Sequence, residues 1–137
     1  MSSELEHTGL LGRRILVVDD DADTREMLAV ILESSGATVT TAQSAAEAIA
    51  ICAKLRPDLL ISDIGLPGED GFSLVRRLRE LPSALGGDIP AIALTGYDSE
   101  ADNALADRAG FSERLTKPVS LDAVLEAVAR VLTSPSP

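Results

Sequence analysis

Aromatic residues, cysteine and histidine are scarce in this sequence. Of its 137 residues only 2% are aromatic, one is cysteine and one is histidine, whereas 45% are hydrophobic. The core must therefore be built from Leu, Ile, Val and Ala, which suits α/β layers with aliphatic strands between helices. The single cysteine, Cys52, excludes an internal disulfide and fits a reducing compartment. Because it falls within a predicted helix, we expect it to be a buried small hydrophobic residue.

Basic residues and long apolar runs are also few. The chain has 12 basic against 22 acidic residues, a formal net charge of −10, which argues against nonspecific binding to nucleic acid or to anionic membrane. No apolar run approaches the roughly 20 residues of a transmembrane helix. The N-terminus lacks the basic region and apolar stretch of a signal peptide. We therefore expect one cytoplasmic domain without a membrane or nucleic-acid partner.

Strand and helix signals alternate five times along the chain. Strands are predicted at approximately 14–18, 37–41, 58–62, 89–94 and 112–116. Helices are predicted at approximately 22–35, 43–55, 70–81, 99–109 and 119–132, with Asp21 or Asp23 as N-cap of the first. Such alternation predicts a doubly wound parallel sheet, commonly ordered 2-1-3-4-5. Residues 13–132 would form this domain, and residues 1–12 and 133–137 would be flexible tails.

Acidic residues follow the first and the third predicted strands. Asp19, Asp20 and Asp21 come directly after one apolar run, and Asp63 comes after another. Ligands of an open α/β sheet sit outside the carboxyl ends of the strands, so these carboxylates should converge. Converging carboxylates demand a cation or take up protons, and all-oxygen ligation suits Mg²⁺. The pattern predicts a divalent-metal site around a carboxylate that could itself be a nucleophile.

Five signals, in order over about residues 13–132, resemble the receiver domain of two-component response regulators. Asp19-Asp20 resembles the acidic pair after strand 1, and Asp63 with its Pro-Gly-x-Asp-Gly loop resembles the phosphoacceptor aspartate. Thr95-Gly96 resembles the switch threonine and the small residue after it. Lys117-Pro118 resembles the lysine after strand 5 and its proline, which is cis in the family. The resemblance implies a flavodoxin-like (βα)5 fold.

The resemblance also implies which residues bind metal. Asp20 and Asp63, with the backbone carbonyl of Gly65, would ligate Mg²⁺. Asp19 would act directly or through a bound water.

The remaining implied roles concern the phosphoryl group on Asp63. Lys117 would pair with one phosphoryl oxygen, and the hydroxyl of Thr95 would donate to another. Gly96 would keep the approach open and supply a backbone N–H, and Pro118 would aim the lysine into the pocket. The donor would be a histidine kinase or a phosphotransfer protein, and the output a contact with a downstream protein.

Three positions around this site depart from the family or vary within it. Arg114 stands where receivers often carry the Tyr or Phe that acts as a rotamer switch. Gly65 and Tyr97 occupy the two rim positions that tune the lifetime of the phosphoryl group. The glycine offers no side chain to orient water, while the tyrosine would partly shield the group.

Three other functions are alternatives to a signalling receiver that modifies only itself. A phosphorylation-independent adaptor with the same fold would not need Asp63, Lys117 and Thr95 together. An aspartyl phosphohydrolase needs a second acid two residues after the nucleophile, where Gly65 stands. A dinucleotide-binding protein needs a glycine-rich turn after strand 1, where three aspartates stand.

Overall fold

Five strands and four helices make up the computed structural model, which describes residues 10–66, 68–96, 104 and 108–133. The strands are β1 (Arg14–Val18), β2 (Thr38–Ala42), β3 (Leu59–Asp63), β4 (Ala91–Thr95) and β5 (Glu113–Thr116). The helices are α1 (Ala22–Glu33), α2 (Ala45–Leu55), α3 (Gly71–Arg79) and α4 (Leu121–Thr133). A 3-10 turn covers Ser83–Leu85 between α3 and β4.

The strands form one parallel sheet in the order β2-β1-β3-β4-β5, which confirms the predicted topology. The bounds of β1 match the prediction, and those of the other elements differ from their predictions by at most two residues. The fourth strand begins at Ala91 rather than at residue 89, because Pro90 has no N–H to give to a ladder. Of the helix predicted at 99–109, only Ala104, Arg108 and Ala109 are described, and all three are helical.

Short polar side chains set the start of three helices. The side chain of Asp21 accepts a hydrogen bond from the backbone N–H of Thr24, so Asp21 rather than Asp23 is the N-cap of α1. Ser44 and Asp70 cap α2 and α3 in the same way. Each cap satisfies a backbone donor that the first turn of a helix leaves unpaired. These caps fix where the chain turns from each strand end into the following helix.

The sheet separates two aliphatic clusters. One packs α2 and α3 against one face and includes Cys52, which is fully buried as expected. The other packs α1 and α4 against the opposite face and includes Leu10, which is 2% exposed. The backbone N–H of Gly12 also donates to the carbonyl of Gly36, at 3.0 Å. Packed structure therefore includes Leu10, the first described residue, which lies three residues before the predicted domain start at residue 13.

Candidate functional site

Residues from four strand ends meet at the carboxyl edge of the sheet. Asp19 directly follows β1, Asp63 ends β3, Thr95 ends β4, and Lys117 directly follows β5. These strands are consecutive neighbours in the sheet. Carboxylate oxygens of Asp19, Asp20 and Asp63 lie within 4.8 Å of one another. The structure thus brings together the residues that the sequence placed in one pocket.

Lys117 supplies the positive charge of this cluster. Its Nζ lies 3.0 Å from Oδ2 of Asp19 and 3.3 Å from Oδ2 of Asp63. Its backbone N–H donates to the carbonyl of Thr95 at 2.7 Å, which fixes the end of β5 against the end of β4. The peptide bond between Lys117 and Pro118 is cis, as the resemblance implied. The lysine side chain is therefore directed from the sheet edge into the acidic pocket.

Asp19 is a fully buried carboxylate with incomplete hydrogen bonding. Its Oδ1 accepts the backbone N–H of Asp21 at 2.9 Å. Its Oδ2 lies 3.0 Å from Nζ of Lys117 in an ion pair and accepts no hydrogen bond from the other described residues. Burial raises the pKa of Asp19, and the Asp21 N–H and the Lys117 ammonium lower it only in part. A buried carboxylate whose charge is compensated only in part favours a further cation as partner.

The charge of Lys117 is in turn stabilised by its two acids. Burial alone would lower the pKa of this ammonium, but the contacts with Asp19 and Asp63 outweigh burial and raise it. Lys117 therefore remains cationic at neutral pH and holds the two acids together.

Asp63 is held by its backbone and by both carboxylate oxygens. Oδ1 accepts the backbone N–H of Gly65 at 3.1 Å, while Oδ2 faces Lys117. The hydroxyl of Ser62 donates to the Asp63 carbonyl at 3.0 Å. The Asp63 side chain nevertheless stays 12% exposed, so a molecule in solution can reach its carboxylate.

Gly71 supports the site, although the sequence analysis includes it only as the last residue of the Pro-Gly-x-Asp-Gly loop. A Cβ at this residue would lie 2.4 Å from the carbonyl oxygen of Asp63 and 2.8 Å from Cα of Ile64. Its own N–H donates to the Ile64 carbonyl at 3.1 Å. Only glycine allows α3 to begin this close to the backbone of Asp63. No local pattern predicts the need, since its φ is not in the left-handed region.

The predicted switch and rim residues are distributed around the pocket. Thr95 is 1% exposed, and a Cβ added to Gly96 would meet no atom of the described residues within 4 Å, so with respect to those residues that side of the pocket is open. Gly65 is exposed at the rim, and Arg114 is exposed on the edge strand β5. Tyr97 lies outside the described residues.

The donor set fits a hard divalent cation. It consists of three carboxylates, one of which has a buried oxygen without a hydrogen-bond donor. Oxygen-only ligation with few carboxylates suits Mg²⁺, which keeps several waters and binds phosphate oxygens at the same time. Asp20 is exposed and Asp19 and Asp63 are buried, so the site opens to solvent on one side.

Comparisons of this chain with known proteins agree on one protein family. Residues 15–129 match the sequence model of the response regulator receiver domain. The chain is 52% identical over 105 residues to an uncharacterised 14.6 kDa protein in the sodA1 3′ region of Leptolyngbya boryana, covering 77% of this chain and 79% of that protein. It is 40% identical over 124 residues to the phosphate regulon transcriptional regulatory protein PhoB of Pseudomonas aeruginosa, covering 88% of this chain and 53% of PhoB. It therefore spans about half the length of that regulator.

A solved structure agrees with the sequence matches. The receiver domain of the sensor histidine kinase PA1611 from Pseudomonas aeruginosa superimposes with a TM-score of 0.82 at 28% identity, covering 90% of this chain and 99% of that one. That crystal structure has a magnesium ion coordinated in its active site cleft. In the part of this chain that is described, no helix is long and apolar enough to cross a membrane. The chain belongs to the receiver domain family of two-component response regulators.

Proposed function

We propose that this chain is a phosphoacceptor that takes a phosphoryl group onto Asp63 from a histidine kinase or a phosphotransfer protein. The reaction would depend on Mg²⁺ and would take place in the cytoplasm. The observation that carries the proposal is the setting of Asp63, whose two oxygens face the Gly65 N–H and Lys117 beside two further acids. Such a setting is more than a strand-end turn or a helix cap requires.

The transfer itself needs one bond to form and one to break. A carboxylate oxygen of Asp63 forms a bond to phosphorus while the bond between phosphorus and the donor imidazole nitrogen breaks, and the imidazole takes up a proton. The product on Asp63 is a mixed anhydride, a covalent species open to carboxylates. Phosphoryl transfer is mostly positioning and charge neutralisation, so the surrounding donors matter more than acid–base chemistry.

Residues of this chain supply that positioning. Lys117 lies 3.3 Å from Asp63 and would transfer its contact to a phosphoryl oxygen when the carboxylate becomes an acyl phosphate. Thr95 would donate its hydroxyl to a second phosphoryl oxygen, and Gly96 would offer its backbone N–H at the open side of the pocket. Arg114 and Tyr97 would shape access and output rather than bind the group.

The three acids would hold the metal. Asp19, Asp20 and Asp63 provide carboxylates, and the carbonyl of Gly65 would complete the protein ligands. Bound Mg²⁺ supplies charge neutralisation at the phosphoryl oxygens. Asp19 and Asp63 also keep Lys117 in place, so the metal site and the lysine contact form one unit.

The phosphorylated state would be passed on by contact with a downstream protein, which makes this chain a signalling domain that modifies only itself. The carbonyl of Thr95 accepts a hydrogen bond from the N–H of Lys117. Movement of Thr95 toward a phosphoryl group would therefore act on the segment that follows β4 and on the segment that follows β5. We propose that the loop from Gly96 to Ser99 and the helix predicted at 99–109, which lie mostly outside the described residues, carry most of the change, because Arg114 replaces the aromatic switch of β5. Amide exchange with and without beryllofluoride tests this. Changes confined to residues 20–35 would show that the signal leaves by another face.

Chemical labelling tests the phosphoacceptor. Incubation with a small-molecule phosphodonor and Mg²⁺ should add one phosphoryl group that hydroxylamine removes. Asp63→Asn should abolish labelling, because an amide is not a comparable nucleophile, whereas Asp23→Asn removes an acid outside the pocket and should label normally. Equal labelling of the Asp63 variant would overturn the assignment. A wild-type protein that binds its partner without any labelling would instead support the adaptor alternative.

A further inference from the structure

The edge strand β2 has backbone hydrogen-bonding groups directed away from the sheet. β2 pairs only with β1 among the described strands, and its other side is the sheet edge. The N–H of Thr38 donates to the backbone carbonyl of Arg13 at 2.8 Å, and the carbonyl of Ala42 accepts the backbone N–H of Asp19 at 3.1 Å. Backbone groups alternate sides along a strand, so residues 38, 40 and 42 bond to β1. The N–H and C=O groups of residues 39 and 41 therefore point outward.

Within the described residues, the strand at this edge has no charge, proline or bulge that would protect it against pairing. Its sequence, Thr-Val-Thr-Thr-Ala, contains no charged residue and no proline, and its register with β1 runs without a bulge. Natural proteins commonly protect an edge by one of these devices, because an unprotected edge is a template for another strand. The β2 edge is thus suited to pair with a further strand.

A groove beside the edge strand has mostly apolar walls. A cavity of about 230 Å³ lies between the sheet and α2, and its lining consists of Arg14, Ile15, Leu16, Thr38, Thr40, Ile51, Leu55 and Pro57. Thr38 and Thr40 are on the same face of β2, as residues two apart must be. Leu55 is 39% exposed there. Pairing at the edge would cover this groove.

The helix above the groove has opposite charges at its two ends. Glu47, Ile51 and Leu55 are four residues apart and share one stripe of α2, and Ile51 and Leu55 line the groove. Glu47 is in the first turn of the helix, whereas Lys54 is in the last turn and is followed by Arg56. A second copy of α2, laid antiparallel, would place its acidic end beside the basic end of the first. Charge complementarity therefore indicates a second copy of this chain rather than a different partner.

We propose that this chain forms a twofold dimer in which the two β2 edges pair antiparallel about Thr40 and the two α2 helices pack about Ile51. The outward groups of residue 39 would bond to those of residue 41 in the partner copy, which gives four backbone hydrogen bonds. Thr40 would face its own copy across the axis as a non-hydrogen-bonded pair, where Cα atoms are about 4.5 Å apart. Cross-strand threonine pairs are favourable at such positions. The sheet would continue through both copies, and each interface patch would be the same surface.

Disulfide trapping tests the axis directly. Thr40→Cys should give a covalent dimer under mild oxidation, because a separation of about 4.5 Å is within disulfide range. Thr38→Cys is the matched control, since residue 38 would oppose residue 42 of the partner rather than itself and should not crosslink. The native Cys52 is fully buried and should not interfere. Equal crosslinking of both variants, or none, would overturn the proposed axis.

Solution mass tests the pairing without a crosslink. Sedimentation over a concentration series should give twice the chain mass of 14.3 kDa. Thr41→Pro removes an outward N–H while keeping the bonds to β1 and should give a monomer, whereas Thr41→Val should remain dimeric. Lys54→Glu should raise the dimer Kd about tenfold, because by the twofold symmetry one substitution removes both copies of the proposed ion pair between Glu47 and Lys54. Adding Glu47→Lys should restore the original Kd. A wild-type monomer at every concentration, or a dimer unaffected by these changes, would refute the proposal.

Discussion

Asp20 is the acid of the pocket whose charge is least compensated. Its carboxylate lies within 4.8 Å of those of Asp19 and Asp63, and it is exposed. Lys117 forms its ion pairs with the other two acids. Asp20→Asn therefore removes two repulsions without breaking an ion pair, and it should stabilise the metal-free protein. Asp63→Asn should also raise its melting temperature, but by less, since it loses a contact with Lys117.

The size of the effect follows from the separation of the carboxylates. Two unit charges about 4.8 Å apart repel by roughly 0.9 kcal/mol at the dielectric constant of water. Because Asp20 has two such neighbours and Lys117 offsets part of the repulsion, we expect a gain of about 1 kcal/mol. That corresponds to a rise of about 3–5 °C in melting temperature for a domain of this size.

Denaturation with and without metal measures this change. In chelator at low salt, the Asp20→Asn protein should unfold at a higher temperature than wild type. In Mg²⁺ the order should reverse, because the wild type gains stability from the bound ion and the variant gains less. Asp23→Asn is the matched control, since it makes the same charge change in the first turn of α1 but outside the pocket. A variant that is less stable in chelator, or that gains as much from Mg²⁺ as the wild type, would refute the account.

Three further predictions concern the supports of the site and the core. Gly71→Ala should lower the free energy of unfolding by about 2–4 kcal/mol in urea denaturation, because its Cβ would overlap backbone atoms. Gly65→Ala should lower it little, since its Cβ meets only a carboxylate oxygen at 3.7 Å. Equal losses for the two variants would contradict this prediction. Asp21→Ala should lose about 1 kcal/mol as the N-cap of α1, measured the same way, and Asp21→Asn should recover most of it. Burial raises the pKa of Cys52 to about 11, so above pH 9 the thiol ionises first in the unfolded chain, and the free energy of unfolding should fall between pH 9 and 11. Cys52→Ala should remove that part of the fall, and identical pH profiles for the two proteins would rule it out.

The order of the sheet and the place of the site could be predicted because both depend on local patterns. Aliphatic runs mark the buried strands, and the acids that follow β1 and β3 are adjacent once the strand order is 2-1-3-4-5. The sequence does not distinguish Asp21 from Asp23 as N-cap, because an aspartate suits the position at either residue. The apolar run at 89–94 predicts a start of β4 that is two residues too early, because hydrophobicity does not reflect the missing N–H of Pro90.

Contacts between distant segments could not be predicted in this way. Leu10 is buried because it packs in the cluster formed with α1 and α4, and no periodic pattern of hydrophobic residues surrounds it in the sequence. The need for glycine at position 71 depends on how closely α3 approaches Asp63. The unequal burial of Asp19 and Asp20 likewise follows from how the loop leaves β1, since the two residues are identical in type.

The contact between Lys117 and its two acids joins parts of the chain that are made at different times. Lys117 is added 54 residues after Asp63, which at roughly 5–20 residues per second is a delay of about 3–11 s on the ribosome. During that interval the ends of β1 and β3 carry acids whose partner lysine has not yet been made. Until then, only a bound cation such as Mg²⁺ would offset the repulsion between these acids when the two strands pair. A chain that stops before Lys117 would therefore depend on the metal alone for that compensation.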